Sequence, residues 1–467
     1  MPLPLSTAES PPLSDRQEQL SRATVVIGVA ALAVLARAVN IALIWPESTL
    51  FLVEDSPIYL HGRDGWLEHG AFVFSSEDQR TQTERVPGYF LFLMFVHMLA
   101  GSASIAIAIA QALVDTVSVI CIALLGDLYS RKVALVAGAF AALWPNLIIH
   151  SAQVLSDSLF VMFLCIALVV FAAYCRRPRA NLALALGVLL GLLAMTRVTA
   201  QFAVPVVAVV VFGVAAYQGA GGMRAVGPTL LFLTAAMAIA SPIVHRNWYQ
   251  FDALALTSQG GTHLLFWVAP AVVTRGDGNS PQATIDKLRE QMELQVRTRV
   301  TTGEQVNAFE RSKIMSTLAL QAMREQPLGA FAGAWMVGIL RTLGTPALLH
   351  DMRVRGLSNA SFARTEGSFA ERVEHYYSSN TPAYRAIASA AMIGALVTSL
   401  LQLIGFAFCA FRRPSLAVPA AALTLYFLAL NGPIGDAKYR LPMEPVLIVL
   451  AAIAIAPRPR PKRVASA

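Results

Sequence analysis

The stretch TVVIGVAALAVLARAVNIALIW, from Thr24 to Trp45, is an almost uninterrupted apolar run. A helix of about 20 residues is long enough to cross the ~30 Å hydrocarbon core of a bilayer. The run is too long for the apolar core of a signal peptide, and no small-residue cleavage site follows it. We therefore expect an uncleaved first transmembrane helix behind a polar cytoplasmic tail over residues 1–23.

Apolar runs recur along the whole chain, which is 56% hydrophobic and only 14% charged. A soluble domain typically carries about 25% charged residues, so this composition indicates a polytopic membrane protein. We expect an all-α bundle of about 10 to 12 transmembrane helices with interfacial helices and two large non-cytoplasmic loops. The other predicted spans are Ser104 to Leu125, Val133 to Ile149, Leu159 to Tyr174, Leu182 to Thr196, Ala200 to Tyr217, Pro228 to Val244, Ile387 to Phe411, Leu416 to Leu430 and Leu441 to Ile455.

The basic residues set the predicted orientation, because cytoplasmic loops carry an excess of Lys and Arg. With a cytoplasmic N-terminus, every basic cluster falls on the cytoplasmic side if two short apolar runs do not cross the membrane. These runs, Pro87 to Ala100 and Leu328 to Leu343, are therefore expected to be interfacial or re-entrant helices. The net charge of +8 comes from these clusters, so it does not indicate a nucleic-acid partner. The clusters are Arg131–Lys132, Arg176–Arg177–Arg179, Arg224, Arg412–Arg413 and the tail from Arg458 to Arg463.

This topology predicts five parts of the chain. After the tail comes an N-terminal transmembrane module over 24–245, with a first outside loop at 46–86. A large outside loop follows at 246–385, with a membrane-lying helix at 328–343. C-terminal transmembrane helices occupy 386–456, and 457–467 is a basic cytoplasmic tail. Long outside loops on a helical bundle are where a membrane enzyme binds its substrate, so the chemistry is expected there.

The first outside loop holds the leading candidates for chemistry. Most of its acids are expected to be solvated, but Asp55 directly follows the apolar stretch Leu50 to Val53 and so lies near the membrane surface. A carboxylate there can take a proton from a hydroxyl group. Arg85, just before the turn at Pro87–Gly88–Tyr89, is placed to hold a phosphate at the same surface.

Three stretches resemble the opening of the GT-C glycosyltransferases. They are Leu-Val-Glu-Asp-Ser-Pro-Ile-Tyr (52–59), Leu-Glu-His-Gly-Ala-Phe (67–72) and Glu-Arg-Val-Pro-Gly-Tyr-Phe-Leu-Phe-Leu (84–93). The similar branch holds the protein O-mannosyltransferases and the aminoarabinose transferases of lipid A. The resemblance implies that Asp55 is catalytic and that Arg85 contacts a donor phosphate. Ser56 stands where many relatives have Glu, so a second acid role there is in doubt.

The resemblance extends to later motifs. Val154–Leu155–Ser156–Asp157 implies a second functional acid at Asp157, and the alternative is that Ser156 and Asp157 cap a helix. Met195–Thr196–Arg197 and Lys438–Tyr439–Arg440–Leu441–Pro442 imply donor-phosphate contacts, the alternative being interfacial anchors. By resemblance, the phosphate would be held by Arg85, Arg197, Tyr439 and Arg440, and further substrate contacts would come from Glu54, Tyr59, Glu84, Arg246 and His263.

The sequence thus predicts an inverting membrane glycosyltransferase that moves a sugar from a polyprenyl-phosphate donor to a glycolipid, glycan or protein. It would act on the non-cytoplasmic side of a cell membrane, with a bacterial plasma membrane expected. No cofactor is predicted; the acid-rich loops are compatible with Mg²⁺ or Mn²⁺, but the ligand set for a metal is unknown. The alternatives are a secondary transporter or lipid flippase, disfavoured because acids such as Asp115 are rare inside the predicted spans and the charges collect at the outside surface, and a non-catalytic scaffold.

Overall fold

The computed structural model describes residues 13–278, 280–360 and 368–456. Within these residues the regular elements are helices, and the one strand-like feature is an isolated antiparallel bridge between Val73 and Thr81. The predicted all-α class is therefore confirmed. The basic tail predicted at 457–467 lies outside the described residues, as does the start of the predicted N-terminal tail.

The first half of the chain forms ten α-helices. The first begins at Leu13, inside the segment predicted as a tail, in a stretch rich in the helix-favouring residues Leu, Gln, Glu and Arg. The ten helices are α1 Leu13–Ile44, α2 Ser56–His69, α3 Gly88–Ala100, α4 Ser104–Asp127, α5 Arg131–Leu143, α6 Pro145–Ala152, α7 Asp157–Arg176, α8 Ala180–Thr196, α9 Ala203–Ala215 and α10 Gly221–Phe251.

The second half adds ten more, together with short 3-10 and π segments. The α-helices are α11 Gln259–His263, α12 Ala269–Asp277, α13 Pro281–Thr301, α14 Ala308–Arg324, α15 Leu328–Gly344, α16 Met352–Arg355, α17 Phe369–Ser379, α18 Pro382–Arg412, α19 Pro414–Asn431 and α20 Glu444–Ile455. The 3-10 segments are Ser48–Phe51, Val198–Phe202, Ala347–His350 and Ala437–Met443, and the π segments are Ala216–Ala220 and Leu264–Val268.

Seven helical stretches in the described part of the chain are long and apolar enough to cross a membrane, or eight if α5 and α6, bent by 44°, form one span. The protein is therefore a multi-pass membrane protein, but with fewer spans than the ten to twelve predicted. The seven are Arg22–Ile44, Ser104–Asp127, Asp157–Arg176, Val198–Gln218, Gly222–Phe251, Pro382–Arg412 and Pro414–Asn431.

The lower count has a physical reason, because several predicted apolar runs fold into helices that are too short. At about 1.5 Å of rise per residue, the 17 residues of α8 reach only about 25 Å. The last predicted span divides into a 3-10 segment and the 12-residue helix α20. Proline accounts for that division: Pro442 and Pro445 each lack the N–H that a continuing α-helix needs.

The bundle uses small residues where helices approach closely. Gly187 and Gly191 on α8 face α10, where any added β-carbon would overlap the carbonyl oxygen of Phe232 or crowd that of Ala236. In a bilayer the hydrophobic effect does not drive helices together, so such close backbone contact supplies much of the packing energy. The outer faces are apolar instead; on α18, Leu403 is exposed as a lipid-facing side chain.

A buried ion pair lies inside the bundle. The Arg37 Nε and Nη2 atoms of α1 lie 2.7 and 2.5 Å from Asp115 Oδ2 of α4, and both side chains are at most 1% exposed. Arg37 also donates to the carbonyl oxygens of Ala142 (2.6 Å) and Ala141 (3.3 Å) at the end of α5. Pro145 lacks the N–H that would bond to the Ala141 carbonyl in a continuous helix, and the guanidinium supplies a further donor to this carbonyl beside the long bond from the Trp144 N–H (3.4 Å).

Candidate active site

The loop before α2 is fastened to the loop before α7. The Ser56 hydroxyl accepts a hydrogen bond from the Val53 N–H (2.8 Å) and donates one to the Val154 carbonyl (3.0 Å). The Val154 N–H in turn donates to the Phe51 carbonyl (2.9 Å). Ser56 is fully buried, so the residue that departs from the family pattern has a structural role here. Asp55 is held beside it at the start of α2, where its side chain makes no capping hydrogen bond.

Two cations from distant parts of the chain flank Asp55. Arg85 Nη2 lies 3.5 Å from Asp55 Oδ1, and Lys438 Nζ lies 3.4 Å from Oδ2. The three side chains are 37%, 20% and 29% exposed for Asp55, Arg85 and Lys438, so the cluster opens to its surroundings. The carboxylate can thus meet a substrate while remaining bound to the protein on both sides.

Arg85 is positioned by the turn that begins α3. A β-carbon on Gly88 would overlap the backbone carbonyl of Met195, so only glycine lets the start of α3 lie against the end of α8. Arg197 follows directly after α8. This contact therefore brings two of the predicted phosphate-binding arginines to the same side of the bundle.

Asp157 and Arg197 form a second ion pair, between Arg197 Nη1 and Asp157 Oδ1. Asp157 is 5% exposed, and the Arg197 guanidinium lies 5.9 Å from the ring centre of Phe160. Ser156 makes no capping hydrogen bond, and its hydroxyl lies 3.3 Å from the Tyr59 hydroxyl. The structure thus brings Tyr59 of α2 to the loop that carries Asp157.

Electrostatics connect the two pairs. Burial tends to lower the pKa of the Lys438 ammonium, but Tyr439 and the carboxylates of Asp157 and Asp55 outweigh burial and raise it. Lys438 is therefore firmly protonated at neutral pH. The cluster of Asp55, Arg85, Asp157, Arg197 and Lys438 holds three cations and two carboxylates, and so favours an anionic group.

Arg440 points away from this cluster into the protein. Its Nε donates to Glu444 Oε1 (2.8 Å) and its Nη1 donates to the Leu343 carbonyl (2.8 Å), and both Arg440 and Glu444 are buried. Asn146 of α6 donates to the same carboxylate oxygen (2.9 Å) and to the Ala437 carbonyl (3.1 Å). This network fixes the 3-10 segment that presents Lys438. Tyr439 is half-buried beside Lys438, whose Nζ lies 5.5 Å from the Tyr439 ring centre.

The other predicted contacts are dispersed. Glu54 is exposed and pairs with Arg355 (3.2 Å), and Glu84 is exposed. Arg246 donates to the Gln82 carbonyl (2.9 Å) and lies over the Phe72 ring. His263 ends the short helix α11, where burial lowers its pKa. In the described ranges, no hydrogen bond or ion pair joins Glu84, Arg246 or His263 to Asp55.

Sequence reasoning noted Lys438 only as a replacement for arginine, and it missed the neighbouring pair His350 and Asp436. His350 Nε2 lies 3.4 Å from Asp436 Oδ1. A signal for Asp436 was present, since it stands two residues before Lys438. His350 lies between the recognised motifs and carried no such signal.

Among the described residues, no group of three or more His, Cys, Asp or Glu side chains is arranged to hold a metal ion.

Comparison with known proteins finds a family that part of the chain resembles. Residues 84–245 match the sequence model of the family described as dolichyl-phosphate-mannose-protein mannosyltransferase. This segment contains Arg85, Asp157 and Arg197. The matched segment is 162 of the 467 residues, so the chain resembles this family over that part. The predicted resemblance is thereby confirmed, and no curated protein matches the chain.

One solved structure has a similar fold, and a second gives a weaker match. The archaeal oligosaccharyltransferase AglB from Archaeoglobus fulgidus, in complex with an inhibitory peptide and a dolichol-phosphate, matches with a TM-score of 0.52 and 13% identity. The match covers 94% of this chain and 50% of that chain, so the chain spans about half the length of AglB. ArnT from Cupriavidus metallidurans, bound to undecaprenyl phosphate, matches with a TM-score of 0.40 and 13% identity over 92% of this chain and 77% of that chain.

Proposed function

We propose that this protein is a membrane glycosyltransferase that moves a sugar from a polyprenyl-phosphate donor to a hydroxyl group of an acceptor. The observation that carries the proposal is the position of Asp55 between Arg85 and Lys438, at 3.5 and 3.4 Å. These residues come from three separate segments of the chain. A partly exposed carboxylate with adjacent cations is what transfer from a phosphate-linked donor requires.

The reaction follows from these roles. Asp55 takes the proton of the acceptor hydroxyl as its oxygen attacks the anomeric carbon of the sugar. The bond between that carbon and the phosphate oxygen breaks, and its electron pair leaves with the polyprenyl phosphate. Arg85, Arg197 and Lys438 stabilise the negative charge that develops on the phosphate. Because a single displacement attacks from the face opposite the leaving group, the anomeric configuration inverts.

Residues predicted as phosphate ligands then take two kinds of role. Arg85 and Arg197 keep that role, and Tyr439 lines the same corner. Arg440, buried against Glu444, contributes by holding the segment that presents Lys438. Asp157 orients Arg197 through their ion pair.

The chemistry suggests the substrates and their side of the membrane. The proposed donor carries its sugar on the phosphate of a membrane lipid. A site at the membrane surface can therefore reach the bond between the sugar and the phosphate. The AglB structure contains a dolichol-phosphate, which supports a polyprenyl chain lying along the bundle. We propose that transfer takes place on the non-cytoplasmic face of a cell membrane, to a glycolipid, glycan or protein. The basic loops predicted inside the cell support this side.

Asp55→Asn tests the proposal. Membranes bearing the variant and supplied with lipid-linked sugar should lose transfer by a factor of at least about 10², because a general base contributes 10²- to 10⁴-fold. Glu68→Gln, in the same helix α2 and exposed, is the matched control and should transfer as the wild type does. Unimpaired transfer by a folded Asp55→Asn protein would overturn the proposal. Mass spectrometry of membrane glycolipids and envelope glycans with and without the protein would identify the acceptor.

A further inference from the structure

His350 and Asp436 form a second titratable pair beside the Asp55 cluster. His350 ends the 3-10 segment Ala347–His350, which belongs to the long segment between α15 and α18. Its Nε2 lies 3.4 Å from Asp436 Oδ1, and the two side chains are about a quarter and a third exposed. Asp436 Oδ1 also accepts a hydrogen bond from the Lys438 backbone N–H (2.9 Å). The Asp436 carboxylate therefore contacts both His350 and the backbone of Lys438, whose ammonium lies beside Asp55.

The segment around His350 is held firmly over the site. The His350 carbonyl accepts a hydrogen bond from Gln153 Nε2 (3.2 Å), in the loop that precedes Asp157. Arg353 bonds to Asp351 and donates to Asn40 Oδ1 of α1 (2.8 Å). Arg355 reaches across to Glu54, the neighbour of Asp55 (3.2 Å).

The anchoring leaves one ring nitrogen of His350 available. A carboxylate next to Nε2 favours the tautomer that carries its proton there, so the lone pair resides on Nδ1. Among the described residues, none makes a hydrogen bond to His350 Nδ1. The partly exposed ring thus presents a hydrogen-bond acceptor on the same segment whose Arg355 contacts Glu54, the neighbour of Asp55.

We propose that His350, oriented by Asp436, binds the acceptor by accepting a hydrogen bond from one of its hydroxyl groups. This inference rests on the proposed transferase function and deepens it. The segment that carries His350 is separate from the segments that carry Arg85 and Arg197, so the donor phosphate and the acceptor are held by different parts of the chain. The substrate class it implies is a hydroxyl-rich acceptor such as a glycan or the sugar headgroup of a glycolipid.

The state of His350 depends on its charged neighbours. Burial lowers the pKa of the His350 imidazole, and the facing groups are Asp436, Arg355, Lys438 and Glu54. His150 of α6 also lies near enough to interact. The imidazole is therefore neutral at pH 7, and Nδ1 is free to accept. Protonation at lower pH fills Nδ1 and removes the interaction with an acceptor hydroxyl.

The experiment measures transfer kinetics for wild type, His350→Ala, His350→Gln and the matched control His375→Gln, an exposed residue of α17. We expect His350→Ala to raise the KM for the acceptor about tenfold with the KM for the donor unchanged, since one hydrogen bond is lost. Glutamine retains an acceptor atom, so His350→Gln should recover most of this loss. The control should match the wild type.

The pH profile separates binding by His350 from a merely structural role. From pH 8 to about 5.5, kcat/KM for the acceptor should fall in the wild type and in His375→Gln, and it should stay flat in His350→Gln. Asp55→Asn is measured in parallel. If Asp55→Asn is inactive and His350→Ala keeps the wild-type acceptor KM, the inference about His350 is wrong and the proposed function stands. If Asp55→Asn transfers normally, the proposed function itself fails.

Discussion

At the scale of single residues, Lys438 shows how a small departure from a motif changes the chemistry of a site. A lysine ammonium is a compact point charge on a flexible stem, whereas arginine offers a planar fork for two parallel hydrogen bonds. Lys438 extends to 3.4 Å from Asp55, while Arg440, two residues later, is buried against Glu444. One residue of the motif therefore faces the substrate and the other holds the segment in place.

Replacing Lys438 tests this division. Lys438→Met should lower kcat for transfer by about 10²-fold or more, because a donor that stabilises developing negative charge is worth 10²–10³ in rate. Lys438→Arg should keep most of the activity. The raised pKa of Lys438 means that its charge is lost only as the pH rises above the ordinary value of lysine. Wild-type transfer should therefore be insensitive to Lys438 titration between pH 7 and 9.

The control for this prediction is Lys313→Met, an exposed lysine of α14. It should transfer at the wild-type rate. Equal activity of Lys438→Met and Lys313→Met would show that the ammonium beside Asp55 has no part in transfer.

At the scale of elements, contact between the start of α3 and the end of α8 brings Arg85 and Arg197 to the same side of the bundle. The motif Arg-Val-Pro-Gly-Tyr predicted the turn and its arginine, because proline and glycine mark such positions locally. The partner of that turn could not be predicted. The contact between Gly88 and Met195 joins residues far apart in the chain, and no local pattern encodes it.

Gly88→Ala tests that contact. The added methyl group would overlap the Met195 carbonyl, so α3 must move away from α8 and shift Arg85. We expect a loss of transfer of at least about tenfold together with lower thermal stability, since backbone overlap cannot be relieved by a rotamer change. Gly213→Ala on α9 is the matched control, because a β-carbon there meets nothing within 4 Å. Wild-type transfer by a stable Gly88→Ala protein would contradict this role.

At the scale of the whole molecule, the buried pair of Arg37 and Asp115 joins α1, α4 and the break between α5 and α6. Breaking a buried ion pair by removing one partner typically costs about 3–5 kcal/mol, because the other charge is left uncompensated. Arg37→Met should therefore lower the thermal stability of the detergent-solubilised protein strongly. The double variant Arg37→Met with Asp115→Leu should recover much of that loss. Equal stability of the single and double variants would contradict this account.

How much could be predicted also depends on scale. Composition and apolar runs predicted the all-α multi-pass fold, and local motifs predicted Asp55, Arg85, Asp157 and Arg197 as residues of one region. More apolar runs were predicted as spans than the seven or eight candidates in the described residues, because apolar runs do not show where Pro145 or Pro442 divides a helix. His350 could not be predicted from the sequence, since its place beside Asp436 follows from the three-dimensional path of an unrecognised segment.

The most direct test of the central claim is the affinity of purified Asp55→Asn for polyprenyl phosphate, measured beside its transfer rate. If Asp55 is a base within a cationic phosphate site, removing its negative charge should leave binding as tight as in the wild type or tighter, while transfer is lost. Arg85→Met should weaken binding in the same assay. Loss of binding in Asp55→Asn, or transfer at the wild-type rate, would contradict the account.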